Sequence, residues 1–240
     1  MSPWTEDRFF NGAISIRQKK DGYRFSIDAV IAASGLEPKA GDTVVDLGTG
    51  CGIIPLILAY RYDDIRIVGV EIQSELAQLA DFNRRQNHFE DRFDIVHADM
   101  RTLHLDQVNG PVQWVVCNPP FRRPNSGRIN PNMERALARH EININLSQLM
   151  RTSKRLLKIG GRIVTIYPAE RLVELFFEMR SHNIEPKSLR MIQSRINENA
   201  KLVMVKGVNG GRTGINIEPP LEIYNHEGEY SSEMKTMMKP

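Results

Sequence analysis

Four consecutive residues, Asn118-Pro119-Pro120-Phe121, combine groups that could activate a weakly nucleophilic amine. The exocyclic amino group of adenine attacks poorly, because its lone pair is delocalised into the ring. The side-chain oxygen of Asn118 and the carbonyl oxygen of Pro119 could accept both of its hydrogens and so favour a pyramidal nitrogen. The prolines stiffen the turn, and Phe121 offers a flat face on which a base can stack. We predict that Asn118, Pro119 and Phe121 are catalytic residues, although a rigid strand-to-loop turn would show the same pattern.

A glycine-rich stretch earlier in the chain is a candidate cofactor site. Gly48, Gly50 and Gly52 follow a buried strand predicted over 43–47, and they let the backbone approach a ligand without a Cβ clash. The spacing differs from the G-x-G-x-x-G that binds a dinucleotide pyrophosphate, which Asp46 at the strand end would also repel. A carboxylate there suits a cationic amine, such as the methionine part of S-adenosylmethionine. Asp46, Gly48 and Gly50 are therefore predicted cofactor contacts; an ordinary strand-turn-helix junction is the alternative.

Acids also follow the next two predicted strands. Glu71 ends the second strand, where a carboxylate can accept hydrogen bonds from both ribose hydroxyls of a nucleoside. Ile72, the next residue, could pack on an adenine face. Asp99 and Met100 follow the third strand, and the Asp99 carboxylate could accept from the adenine amino group. We predict that these four residues, together with Asn118, contact the cofactor, although solvated strand-end acids are also common.

Strands alternate with helices along most of the chain. Strands are predicted over 43–47, 65–71, 93–98, 112–117 and 162–167. Helices are predicted over 27–34, 53–60, 76–86, 146–157 and 170–182, and Gly160-Gly161 is expected to end the fourth of them. Segments 187–196 and 201–206 are predicted to form an antiparallel hairpin. This order is typical of a doubly wound α/β fold with a mostly parallel sheet. Because ligands of such sheets bind beyond the carboxyl ends of the strands, the candidate residues should meet at one rim.

The composition excludes several classes of protein. A length of 240 residues favours one domain, and no apolar run approaches the ~20 residues that span a bilayer. Residues 1–10 lack the pattern of a signal peptide, so a cytoplasmic location is expected. Cys51 and Cys117 form neither a disulfide framework nor a metal cluster, and no metal is expected. The net charge of +3 is too small to indicate a nucleic-acid partner by itself.

The two central motifs resemble those of the class I, S-adenosylmethionine-dependent amino-methyltransferases. Residues 46–52 are similar to their first motif, and 118–121 to their fourth, which marks transfer to an adenine N6, a cytosine N4 or a glutamine side-chain amide. The outer motifs resemble those of the bacterial tRNA(Val) adenine-N6 methyltransferases, so that the resemblance covers nearly the whole chain. These outer motifs are Gly22-Tyr23-Arg24-Phe25-Ser26-Ile27-Asp28-Ala29-Val30, Pro219-Pro220-Leu221 and Gly228-Glu229-Tyr230.

The resemblance implies a fold, a cofactor and a substrate. The fold would be a Rossmann-like, mostly parallel seven-stranded sheet with a C-terminal antiparallel hairpin. The cofactor would be S-adenosyl-L-methionine, and the substrate an adenosine beside the anticodon of a tRNA. Phe121 stands where many relatives have Tyr, which keeps the stacking face but removes any hydroxyl interaction. We expect a lid or entry segment over 1–42, a methyltransferase core over 43–208 and an extension over 209–240 that packs on or trails from the core.

Basic and aromatic residues flank both motifs and could contact RNA. Segment 122–141 is predicted to be a long irregular loop with several arginines, and more cations lie near residue 20. The predicted phosphate contacts are Arg122, Arg123, Arg128, Arg135, Arg139, Arg17, Lys19, Lys20 and Arg24. Tyr23 and Phe25 either close over the cofactor or substrate, or pack against the first helix. A single-stranded anticodon loop would present its base at low cost, although the basic loop could equally be a solvated surface.

Other functions remain open at this point. A glutamine methyltransferase that acts on a release factor shares the Asn-Pro-Pro-aromatic motif, but the 42 residues before the strand of the first motif are expected to be too few for its helical substrate domain. A DNA adenine methyltransferase and a catalytically silent RNA-binding module of the same fold are further alternatives. A monomer and a homodimer are both compatible with the sequence.

Overall fold

The computed structural model describes residues 4–20, 27–118 and 145–239, and the structural statements below refer to these residues. The strands, in chain order, are β1 (Trp4–Phe9), β2 (Ile14–Lys19), β3 (Thr43–Leu47), β4 (Arg66–Glu71), β5 (Phe93–His97), β6 (Val112–Cys117), β7 (Leu157–Pro168), β8 (Ile184–Gln193), β9 (Leu202–Asn209) and β10 (Asn216–Glu222). The α-helices are α1 (Ile27–Ser34), α2 (Ile53–Arg61), α3 (Ser74–Gln86), α4 (Leu146–Leu156), α5 (Leu172–Ser181) and α6 (Ser232–Met237).

One large sheet organises these elements in the order β10-β8-β9-β7-β6-β3-β4-β5. The strands from β3 to β7 are parallel to one another, because a helix or a longer crossover separates each neighbouring pair in the chain. Strand β9 runs antiparallel to both β7 and β8. The predicted doubly wound fold and its C-terminal hairpin are therefore confirmed.

The sheet has eight strands rather than the expected seven. The additional strand, β10, lies at the edge and pairs in parallel with β8. Its Pro219 and Pro220 argue against a strand in the sequence, but an edge strand tolerates prolines, and its register is irregular between Glu218 and Leu221. Leu221 is fully buried, so this strand completes the sheet rather than trailing from it.

An arginine ties the C-terminal elements to the sheet. Arg190 of β8 donates two hydrogen bonds of 2.6 and 2.7 Å to the Glu233 carboxylate of α6. Its Nε also donates to the carbonyl oxygen of Pro219 in β10, at 2.9 Å. Such paired, charge-assisted bonds hold both later elements in register with β8.

The glycine pair at 160–161 does not end the fourth helix, contrary to the prediction. Helix α4 ends at Leu156, and β7 begins at the next residue. The glycines instead fall where the register between β6 and β7 is irregular. A Cβ at Gly161 would approach the carbonyl oxygens of Lys158 and Val112 to 2.9 and 3.1 Å, so the chain needs glycine there for a close backbone approach.

Alternation along the central strands divides the core into two layers. Val44 packs in the layer that includes α1, α2 and α3, whereas Val45 and Leu47 pack in the layer with α4 and α5. Successive side chains of a strand point to opposite faces. Asp46 therefore lies on the same face as Val44, towards α1–α3.

The N-terminal ribbon of β1 and β2 docks on α3 through two asparagines. The Asn83 amide donates to the carbonyl oxygen of Arg17 at 3.0 Å and accepts from its backbone N–H at 2.8 Å. Asn87 makes the same pair of bonds with Ser15, at 2.7 and 2.9 Å. The two side chains thus form hydrogen bonds with the backbone N–H and C=O groups on one edge of β2, as a neighbouring strand would.

Candidate active site

The carboxyl ends of the parallel strands form one rim, as predicted. Adjacent strands end in register there, with Leu47 opposite Val70 and Glu71 opposite His97. On the other side of β3, the thiol of Cys117 donates a hydrogen bond of 3.0 Å to the carbonyl oxygen of Leu47. This bond holds the end of β6 against the end of β3, so the half-buried Asn118 follows directly beside the glycine turn.

Several predicted site residues lie outside the described residues. These are Pro119, Phe121, Tyr23, Arg24, Phe25, Arg122, Arg123 and Arg128. Their roles stay predictions. The residues that the structure brings to the rim are Asp46, Gly48, Gly50, Glu71, Ile72, Asp99, Met100 and Asn118.

The glycine turn is folded against the end of β4. The backbone N–H groups of Gly48 and Thr49 both donate to the carbonyl oxygen of Val70, at 2.9 and 3.0 Å. Gly48 and Gly50 have φ angles of 79° and 59°, in the left-handed region that favours glycine. A Cβ at either position would meet no described heavy atom within 4 Å. Among the described residues, the turn therefore leaves open space beside its backbone, which a ligand could approach closely.

Glu71 connects this turn to the start of α3. Its Oε2 accepts a hydrogen bond of 2.9 Å from the N–H of Gly50, and its Oε1 accepts one of 2.9 Å from the N–H of Gln73. Glu71 is buried, and each carboxylate oxygen keeps a further lone pair. A ribose hydroxyl could therefore still bind this side chain, which already orders two backbone segments of the site.

Asp46 is a buried acid that lacks the usual compensation. It is 1% exposed, and neither carboxylate oxygen has a hydrogen-bond partner among the described residues. Burial raises the pKa of the Asp46 carboxyl to about 7; the nearby Thr49 hydroxyl opposes this shift, and the charge of Glu71 adds to it. Unpaired buried carboxylates are costly. A cationic amine would offset that cost, so the residue fits the amino group of S-adenosylmethionine.

Asp99 is already engaged by a neighbouring arginine. Arg101 donates from Nε to both carboxylate oxygens, at 3.0 and 2.9 Å, and from Nη2 to Oδ2 at 2.5 Å. These bonds hold the pKa of the Asp99 carboxyl below its usual value. An adenine amino group would have to share this carboxylate with Arg101.

The two apolar residues predicted at the rim differ in burial. Ile72 is half-buried, and its carbonyl oxygen lies 3.0 Å from His97 Nε2, which fixes the turn after β4. Met100 is buried in the layer with α4, and its carbonyl oxygen accepts hydrogen bonds from Thr152 and Arg155. Ile72 thus has a surface that a ligand could contact, whereas the side chain of Met100 serves mainly the core.

The sequence did not predict that Thr49 packs against Gly69. Gly69 lies opposite Asp46 in the sheet, and a Cβ there would approach Thr49 Cγ2 to 2.9 Å and the Phe93 ring to 3.1 Å. The missing side chain of Gly69 therefore makes room for Thr49 beside Asp46. A glycine in the middle of an otherwise β-branched strand was the available signal.

The described residues contain no group of three or more His, Cys, Asp or Glu side chains placed to hold a metal ion. Among the same residues, no helix has the length and apolar character needed to cross a membrane.

Comparisons with known proteins agree with this geometry. Residues 27–178 match the methyltransferase small domain family. A Porphyromonas gingivalis protein named tRNA1(Val) (adenine(37)-N6)-methyltransferase is 30% identical over 198 residues, which cover 80% of this chain and 74% of that protein.

Two solved structures share the fold. A predicted O-methyltransferase from Agrobacterium tumefaciens has a TM-score of 0.70 at 19% identity, covering 87% of this chain and 94% of that one. A geranyl diphosphate methyltransferase in complex with SAM has a TM-score of 0.55 at 14% identity, covering 76% of this chain and 84% of that one.

Proposed function

Because the chain belongs to the methyltransferase small domain family, and within it to the tRNA1(Val) (adenine(37)-N6)-methyltransferases, we propose that it methylates N6 of an adenosine beside the anticodon of a valine tRNA. The methyl donor is S-adenosyl-L-methionine. The observation that carries the proposal is the position of Asn118, which opens the Asn-Pro-Pro-Phe segment directly beside the glycine turn. Such an enzyme would meet its substrate in the cytoplasm.

The residues of the rim divide into two groups by their chemistry. The unpaired carboxylate of Asp46 would bind the cofactor amine, and the free lone pairs of Glu71 would accept from its ribose. Gly48 and Gly50 admit the ligand to the backbone, because a Cβ at either position would meet no atom of the described residues within 4 Å. When bound, S-adenosylmethionine supplies a methyl group on a positively charged sulfur.

Residues of the chain would activate the target amine. The Asn118 side-chain oxygen and the Pro119 carbonyl accept its two hydrogens, which favours a nitrogen lone pair directed at the methyl group. Phe121 stacks on the base and holds it in the plane that this geometry requires. Positioning of the two reactants supplies much of the acceleration, and no covalent intermediate on the protein is needed.

A comparison of candidate substrates tests the proposal. The protein is incubated with labelled S-adenosylmethionine and, in parallel, with total tRNA, a DNA pool and a release factor. Mass analysis of the labelled product should give N6-methyladenosine from the tRNA fraction, and oligonucleotide mapping should place it beside the anticodon of valine tRNA. Label in methylglutamine or in DNA would overturn the proposed substrate.

A further inference from the structure

A groove runs along the outer side of α3, between this helix and the N-terminal ribbon. Its volume is 610 Å³, which lies in the range of ligand-binding clefts. Two flat aromatic side chains, two cations and one acid are among the residues that line it: Trp4, Phe82, Arg17, Lys19 and Glu75.

The end of the groove at the start of α3 lies near the rim of the candidate active site. Lys19, the last residue of β2, lies opposite Trp4 and forms an ion pair with Glu75. Glu75 is in the first turn of α3, and this helix begins three residues after Glu71 in the chain. A strand of nucleic acid whose target base reached the rim could therefore continue along α3.

Further along α3, the groove presents a cation over an aromatic face. The Arg17 guanidinium lies 3.9 Å from the centroid of the Phe82 ring, and Phe82 is 37% exposed. Both cations of the groove are also paired with acids, Arg17 with Glu6 at 2.8 Å and Lys19 with Glu75. These ion pairs are exposed and contribute little stability, so phosphate oxygens can replace the carboxylates.

We propose that this groove binds the single-stranded nucleotides next to the target adenosine. Alternating aromatic faces and cations are what a single strand needs, because bases stack on the rings while Lys and Arg neutralise the backbone. One base would stack on the face of Phe82 that Arg17 does not cover, and the adjoining phosphates would contact Arg17 and Lys19. The inference rests on the proposed tRNA methylation, and it adds a stacking surface to the phosphate contacts that the sequence predicts at Arg17 and Lys19.

Removal of one aromatic face tests the stacking contact. Phe82→Ala should raise the KM for tRNA by about fivefold or more, with an unchanged kcat and an unchanged Kd for S-adenosylmethionine. Phe177→Ala is the matched control, because Phe177 is 67% exposed on α5, across the sheet from the groove. Equal KM values for Phe82→Ala and the wild type would overturn the proposal, as would a loss of cofactor affinity alone.

Removal of charge tests the phosphate contacts in both directions. Lys19→Gln should reduce the salt dependence of tRNA binding by about one unit of the log–log slope. Glu75→Gln removes the competing carboxylate, so it should tighten tRNA binding by about twofold or more. Lys39→Gln, an exposed lysine before the amino end of β3, should change neither quantity. Melting temperatures close to that of the wild type would show that the variants fold.

These results separate the groove from the proposed function. If the wild type forms no N6-methyladenosine in tRNA, the proposed function fails and the groove proposal fails with it. If the wild type methylates tRNA but Phe82→Ala, Lys19→Gln and Glu75→Gln all bind it as the wild type does, only the groove proposal fails.

Discussion

The backbone N–H of Gly50 donates a hydrogen bond of 2.9 Å to the carboxylate of Glu71. The glycine turn after β3 is therefore held by the acid that ends β4. The second oxygen of the same carboxylate accepts from Gln73, so one side chain orders both loops that are proposed to bind the nucleoside part of the cofactor. This arrangement makes the site sensitive to changes at Glu71 that leave its size unaltered.

Glu71→Gln should weaken cofactor binding by about tenfold or more, because hydrogen bonds to a charged acceptor contribute about 1.5–3 kcal/mol. The carboxamide keeps one acceptor oxygen, so either Gly50 or Gln73 loses its partner. Isothermal titration calorimetry with S-adenosylmethionine measures the effect. Glu37→Gln, at a largely exposed acid, is the control. Equal affinities of the Glu71 variant and the wild type would contradict the proposed role.

Asp46 should make the stability of the protein depend on pH. The folded protein keeps this proton up to about pH 7, because burial raises the pKa, whereas the unfolded chain releases it near its ordinary value of 3.8. The free energy of unfolding should therefore fall as the pH rises between these two values, and this contribution should level off above pH 7. The stability advantage of Asp46→Asn over the wild type should therefore be about 1–3 kcal/mol larger at pH 8 than at pH 5.

Denaturant unfolding at pH 5 and pH 8 measures this difference, and the same variant tests the cofactor amine. Asp46→Asn should bind S-adenosylmethionine more weakly at pH 8, since the negative partner of the amine is gone. Wild-type affinity should rise between pH 6 and pH 8, as Asp46 loses its proton. A variant that binds as tightly as the wild type at pH 8 would exclude the contact.

Gly48→Ala should abolish cofactor binding at a modest cost in stability. The glycine has a φ of 79°, so an alanine costs about 1–2 kcal/mol in the left-handed region. Gly41→Ala is a closely matched control, because Gly41 has a φ of 82° and its Cβ would also meet no heavy atom of the described part of the chain within 4 Å. Thermal unfolding should shift equally in the two variants, whereas titration with the cofactor should fail only for Gly48→Ala. Equal cofactor binding by both variants would show that the space beside Gly48 is not used.

Asn118→Ala should reduce kcat by about 100-fold or more, the usual effect of removing one hydrogen-bonding group that acts in the transition state. Cofactor affinity should remain largely intact, because the glycine turn, Asp46 and Glu71 are unchanged. Single-turnover methylation of tRNA measures the rate, and Asn118→Asp, which keeps an acceptor oxygen in place, should be less impaired. A normal rate in the alanine variant would disprove the proposed activation of the amine.

Arg122→Ala combined with Arg123→Ala should weaken tRNA binding and flatten its salt dependence. An arginine that neutralises a phosphate adds about one to the log–log slope, so each of the two substitutions should lower the slope by about that amount. Filter binding over a range of salt concentrations measures this slope, with Arg180→Ala on α5 as the control. An unchanged slope would show that these two arginines face solvent.

Much of the fold could be predicted because its signals are local. The apolar run of β3, the glycines after it and the helical pattern of α2 are adjacent in the chain, and their bounds agree closely with the structure. Strand β10 was missed because Pro219 and Pro220 oppose strand formation except at an edge, and edge position is a property of the whole sheet. Gly160 and Gly161 were misinterpreted for a similar reason, since their bulge exists only against β6.

The sequence alone determined the α/β class and the meeting of Asp46, Glu71, Asp99 and Asn118 at one rim. Crossover connections make neighbouring strands parallel, and parallel strands end at the same edge. Only the tertiary structure decided which hydrogen-bond partners each acid has there. Glu71 has two backbone donors, Asp99 has Arg101, and Asp46 has no hydrogen-bond partner among the described residues. Burial and hydrogen-bond partners differ among these three acids, so residues that look alike in the sequence have different surroundings in the structure.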